Sequence, residues 1–235
     1  MYAMYQLGQI YEKGEIVQTD SDVSYAFYEK ALQQYLKVEE KDETLYYRIG
    51  MMYLHGKGTS IDYEKAVEHL QAAANLDNAL AMYQLGKLYL SDEGVAVDEE
   101  KALDYFINAA DHGNAFAAFK AGTLYENGIG TKVSEEEAYH YYQKALHGFL
   151  QMEPKDEMLS YRIGMMYLHG KGTSIDYEKA VEHLRASADL DNTLAMYQLG
   201  TLAKQSGDIN SAREWYAKSA AKGNEYAAAA LYRNE

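Results

Sequence analysis

A stretch of 24 residues, YRIGMMYLHGKGTSIDYEKAVEHL, runs from Tyr47 to Leu70 and returns unchanged from Tyr161 to Leu184, 114 residues later. Residues 41–90 match residues 155–204 at 41 of 50 positions without a gap. Self-similarity at a fixed offset marks an array of small units, each too small to bury a core alone. Convergence on a shared helical pattern would not preserve surface residues such as Lys57 and Glu68; duplication of a block would.

Six glycines set the register: Gly8, Gly50, Gly86, Gly122, Gly164 and Gly200, spaced 42, 36, 36, 42 and 36 residues apart. The duplicated block therefore holds three units and restarts at Gly122. The expected boundaries are 1–43, 44–79, 80–115, 116–157, 158–193 and 194–235, forming one domain over 1–235.

Each unit reads as two short helices. In the third, Met82, Leu85, Gly86 and Tyr89 recur at the spacing of one helical face, and Ala102, Tyr105, Phe106, Ala109 and Ala110 form a second. Gly113 supplies a stop. A glycine inside a helix costs about 1 kcal/mol relative to alanine, so its recurrence implies close helix approach. In the loop HGKGTSIDYEK, Gly56 and Gly58 suit positive φ, and Asp62 and Asp176 suit N-caps. Ser134 with Glu137 reads as a capping box. Ile61, Val95 and Val133 are expected to plug the gap between helices. Isolated helices of this length are marginal in water, so the units must stack.

The motif A-x-Y-x-L-G-x-x-Y, a G-x-G loop, then K-A and A-A-x-x-G-N stands here as AMYQLGKLYL with KALDYFINAADHGN in residues 81–114. It resembles the Sel1-like repeat, a relative of the tetratricopeptide repeat, and the resemblance covers essentially the whole chain. It implies an all-α fold, a right-handed α-α solenoid of about six helix-loop-helix repeats with a concave groove, and a protein–protein adaptor role. Repeats one and four are six residues longer, which predicts longer second helices. The last repeat has a shortened loop, and its GDINSAREWYAKSAAKGN resembles a tetratricopeptide cap. Family members that pair cysteines differ from this chain, which has none.

The chain starts inside a first helix, so it is expected to be part of a longer protein. With no cysteine and no visible signal peptide, the expected location is the cytoplasm. No run is long enough to span a membrane. The net charge is −14 and the lysines are scattered, which argues against nucleic-acid binding. The acidity serves either solubility or the steering of a basic partner.

HGKGTS lacks the phosphate-loop spacing and context and reads as a loop bent around two glycines. His55, His69, His169 and His183 form repeat-related pairs without metal-ligand spacing, and nothing singles out a catalytic set. No catalytic, cofactor or metal site is expected. The candidate site is a column three residues before each register glycine: Tyr5, Tyr47, Tyr83, Phe119, Tyr161 and Tyr197. Beside it come Met51 and Met165, then Leu54, Leu90 and Leu168, with His55 and His169 at the loop entrance. Tyrosine combines area with a polar handle and methionine adapts its shape, which suits a peptide or helix in the groove. Packing between neighbouring first helices is the competing placement.

Three roles are open: a non-enzymatic scaffold for a protein or peptide, monomeric on its own; an accessory domain of a larger bacterial enzyme; or a self-associating module. The second rests on likeness to arrays attached to mobile-element relaxases.

Overall fold

The computed structural model describes residues 2–232, among which there are thirteen α-helices and no strand. They fall into two compact units, one up to Glu135 and one from Glu136 on. The first unit pairs α1 (Tyr2–Lys13) with α2 (Ser21–Leu36), α3 (Glu43–His55) with α4 (Tyr63–Ala74), and α5 (Ala79–Leu90) with α6 (Glu99–Asp111), and ends in α7 (Ala115–Asn127). The second holds α8 (Glu135–Gln151), pairs α9 (Glu157–His169) with α10 (Tyr177–Asp189) and α11 (Thr193–Gln205) with α12 (Ile209–Ala221), and closes with α13 (Glu225–Tyr232). The sequence reading missed α13. Its GNEYAA start repeats the GNAFAA that opens α7, and that is the signal which could have found it.

Close approach within each pair depends on the register glycine. A methyl group at Gly86 would stand 2.9 Å from the ring of Phe106, which is fully buried, and one at Gly50 would stand 2.8 Å from Leu70. The partner is aromatic in some repeats (Tyr28, Phe106, Tyr216) and leucine in others (Leu70, Leu184), always against the bare helix backbone. This large residue fills the space assigned to Ile61, Val95 and Val133. Ile61 and Val133 are in fact 55% and 64% exposed, and Val95 is half-buried. The loop folds back so that Ile61 lies over Gly56 instead of entering the gap.

Caps define where helices begin. Asp62 and Asp176 accept from the backbone N–H groups of Lys65 and Lys179, as expected of N-caps. The first helices use asparagine for a further purpose. Asn192 Oδ1 caps α11 through Ala195 N, while its amide donates to Glu157 O at the start of α9. Asn78 and Asn114 do the same toward Glu43 and Ala79. Aspartate could cap but not donate, so the asparagine of the G-N/D-N step ties its repeat to the one before it, whereas α3 and α9, capped by Asp42 and Asp156, lack this tie.

Repeats also join through their loops. A methyl at Gly94 or Gly130 would strike the start of the preceding second helix, at Tyr63 or Glu99. Gly58 and Gly172 instead seat on the eighth residue of the long helices, at Tyr28 and Tyr142. Seven residues at 1.5 Å each displace the docking point by roughly 10 Å along the helix. The expected lengthening is present: α2 and α8 run 16 and 17 residues, against 12 in α4 and 13 in α6.

Candidate functional site

The column residues Tyr5, Tyr47, Tyr83, Phe119, Tyr161 and Tyr197 are all half-buried, as are Met51, Met165, Leu54, Leu90 and Leu168; His55 and His169 are exposed. Each unit is described separately. In the first, Tyr5 meets Tyr28 edge-on at 5.2 Å between centroids, and Tyr83 meets Phe106 at 5.7 Å. In the second, Tyr197 lies 5.6 Å from Tyr216. One side of each ring thus rests on the large residue opposite the register glycine. Tyr47 and Tyr161, whose repeats carry leucine there, reach forward instead. Burial pushes both phenols up, while side-chain amides donating from Gln84 and Gln198 of the next first helix pull them partly back. The sequence reading missed these glutamines, although the constant offset of 37 residues in the MYQLG segments was available to find them.

A second missed feature follows Tyr47 and Tyr161 directly. The Arg48 guanidinium lies over the rings of Tyr2, Tyr5 and Tyr35 at 4.9, 5.5 and 5.7 Å. Its counterpart Arg162 lies 5.9 Å from Phe149. These cations stand on α3 and α9, the first helices capped by aspartate, and draw on the affinity of guanidinium for aromatic faces.

The HGKGTS loop proves to be a fastener. Lys57 Nζ lies 2.8 Å from Glu12 Oε2 and 5.1 Å from the Tyr28 ring centroid, while Tyr28 donates to Glu12 at 2.5 Å. In the second unit Lys171 repeats the contact, 3.1 Å from the Tyr142 hydroxyl and 4.7 Å from its ring. Burial alone would raise the Glu12 pKa, but donation from Lys57 and Tyr28 outweighs it and holds the carboxyl below its ordinary 4.5. A depressed carboxylate stabilises the fold above its unfolded pKa and loses that contribution as pH falls through the folded value. Glu12→Gln should therefore be less stable than the parent at pH 7, and the gap should close below pH 4.5. Urea midpoints at pH 7 and pH 3 check this; an unchanged gap at pH 3 would refute the clamp's charge.

His69 and His183 stack flat on Tyr53 and Tyr167, with centroids 5.7 and 5.8 Å apart, and burial lowers both imidazole pKa values. These rings belong to the packing of the pair. His55 is lowered too, first by burial and then by the cations Lys57 and Lys87. With Leu54 it lines a cleft of about 380 Å³ whose far wall includes Gln84 and Lys87. The structure thus brings Leu54 and His55 together with Gln84, the glutamine beside Tyr47. Leu90 is not among the residues lining this cleft. Among the described residues no three of His, Cys, Asp and Glu come close enough to hold a metal ion, and no helix is long and apolar enough to cross a membrane.

Stacked helix pairs joined by glycine crossings, asparagine ties and docking loops define an all-α repeat protein of the solenoid type. The Sel1 repeat model matches residues 2–35, 45–78, 79–114, 115–147, 160–192 and 193–224, and the chain belongs to the Sel1 repeat family. Such repeats generally serve as protein-interaction scaffolds and are typically non-catalytic. Among solved structures the chain is similar to c5321, a protective antigen of uropathogenic Escherichia coli strains, at 27% identity and a TM-score of 0.69. That match covers 98% of this chain but 48% of c5321, so the chain spans about half of that protein's length. It is also similar to a Sel1 repeat protein from Oxalobacter formigenes, at 26% identity and a TM-score of 0.68, covering 94% of this chain and 87% of that one.

Proposed function

We propose that this chain is a non-catalytic scaffold whose first helices bind a peptide or an extended segment of a partner protein, with Tyr47 and Tyr161 as equivalent anchors in the two units. The observation that carries the reading is the way these rings are held. Each is half-buried, with Gln84 or Gln198 of the next first helix beside its hydroxyl, so part of its side-chain freedom is already lost before binding. In the first unit Leu54 and His55 add an adjoining cleft with an apolar wall and a polar rim. The net charge of −14 favours a basic partner through long-range attraction.

The test is retention of partners from a source lysate, or on a peptide array, by the parent and by Tyr47→Ala and Tyr161→Ala, with circular dichroism confirming that each variant stays helical. Truncation of an aromatic anchor is expected to weaken binding by about tenfold or more. Undiminished binding by both variants would remove the column from the function.

A further inference from the structure

The duplication supplies an internal control for one junction between repeats. In the first unit, the loop after α5, residues 91–98, reads SDEGVAVD and lays Gly94 on the ring of Tyr63, the first residue of α4. A methyl at Gly94 would stand 2.0 Å from that ring, so only glycine fits there. In the second unit, α10 begins with the same residues, Tyr177 in place of Tyr63. There the loop after α11 is shortened to a turn in which a methyl on Gly207 would meet no atom within 4 Å. Nothing in that turn covers Tyr177, which is 60% exposed.

Tyr177 borders a cleft of about 520 Å³, with Val181, Arg185, Leu202, Ala203 and Trp215 among its other walls. Two of the differences between the copies fall in it. Tyr89 of the first copy, stacked on Tyr105 with centroids 5.7 Å apart, is replaced by Ala203, which widens the cleft. Gln71, near Tyr105, is replaced by Arg185, which is exposed and has no hydrogen bond or ion pair among the described residues. The Lys218 ammonium lies 4.4 Å from the Trp215 ring centroid on the same helix. The acid at the rim, Asp208, already caps α12. The result is an apolar, aromatic floor with an unpaired cation in a chain of net charge −14.

We propose that this cleft docks a turn from a partner protein in which an acidic residue precedes a glycine, the chemistry of residues 91–98 supplied in trans. The glycine would lie on Tyr177, as Gly94 lies on Tyr63, and the acid would meet Arg185. No residue of the aromatic column lines this cleft, whose walls come from α10, α11 and α12, although Tyr161 packs against the same core cluster as Trp215.

Trp215 is the chain's only tryptophan, so its emission reads the cleft directly. The full chain is titrated with a synthetic peptide of residues 89–100. The expected result is a saturable emission shift with a dissociation constant below about 1 mM, a weak affinity suited to a single loop. Arg185→Gln, which installs the first copy's residue at an exposed position, should weaken binding about three- to fivefold. A peptide with valine in place of its glycine should bind at least about tenfold more weakly. Tyr47→Ala, in the first unit, should leave this titration unchanged, so failure here and failure of the column reading are distinguishable. No shift up to about 2 mM peptide, or a shift indifferent to both the Arg185 change and the valine peptide, would overturn the assignment.

Discussion

Gly58→Ala is expected to destabilise the first unit by about 2–5 kcal/mol. Two costs combine. Gly58 sits at φ 70°, where an L side chain costs about 1–2 kcal/mol. The added methyl would also stand 2.1 Å from Glu29 N and 2.3 Å from the Tyr28 carbonyl carbon. These are backbone atoms of α2, so no rotamer change relieves the clash; the loop must lift, and lifting carries Lys57 away from Glu12 and Tyr28. Overpacking of this kind typically adds about 1–3 kcal/mol. Gly207→Ala separates the two costs, since Gly207 lies at φ 86° and its added methyl would meet no atom within 4 Å. It should lose only the conformational part. Denaturant unfolding of both variants checks the difference, and equal losses would show that loop docking contributes nothing. Gly172→Ala should repeat the Gly58 result in the second unit, where the methyl meets Gln143 N at 2.2 Å.

Phe106→Ala should cost about 3–5 kcal/mol, the range for deleting a large buried aromatic ring. Phe106 is fully buried opposite Gly86, and that geometry keeps the cost high. A cavity shrinks when neighbours can lean into it, but the facing residue has no side chain to lean. Tyr83 loses the ring it packs against as well. Amide hydrogen exchange should show lost protection concentrated in α5 and α6, because repeats contact only their neighbours. A loss below about 1.5 kcal/mol would mean that the pair closes up and that the glycine crossing is softer than its contacts imply.

What the chain folds into could be read from its sequence because the governing signals are local or periodic. The register glycines, the Asp62 and Asp176 caps and the long α2 and α8 each leave a mark within one repeat. The column's residues could be listed but not placed, since their environment depends on the next repeat: Tyr47 sits beside Gln84, 37 residues on. Lys57 looked like surface because its partners, Glu12 and Tyr28, lie 45 and 29 residues earlier. Ile61 looked like core because apolarity in a loop suggests burial, and only the fold shows Leu70 already occupying that space. The bare cleft at Tyr177 was hidden for a similar reason. A missing loop matters only once loops are known to dock on the preceding repeat.

The lysine clamp also sets the smallest stretch of gene that can be copied without damage. One helix pair is not that stretch, because a pair carrying Lys57 alone would arrive without the tyrosine that receives it. Recombination that moved residues 44–79 next to a short second helix would leave a cation with no ring and a loop aimed at the wrong turn. The 114-residue copy avoids this: Tyr142 and Lys171 travelled together, and Glu126 stands at the position of Glu12. In this chain the transplantable module is therefore a junction with both of its faces, and grafts meant to lengthen the array should be cut within helices rather than at loops.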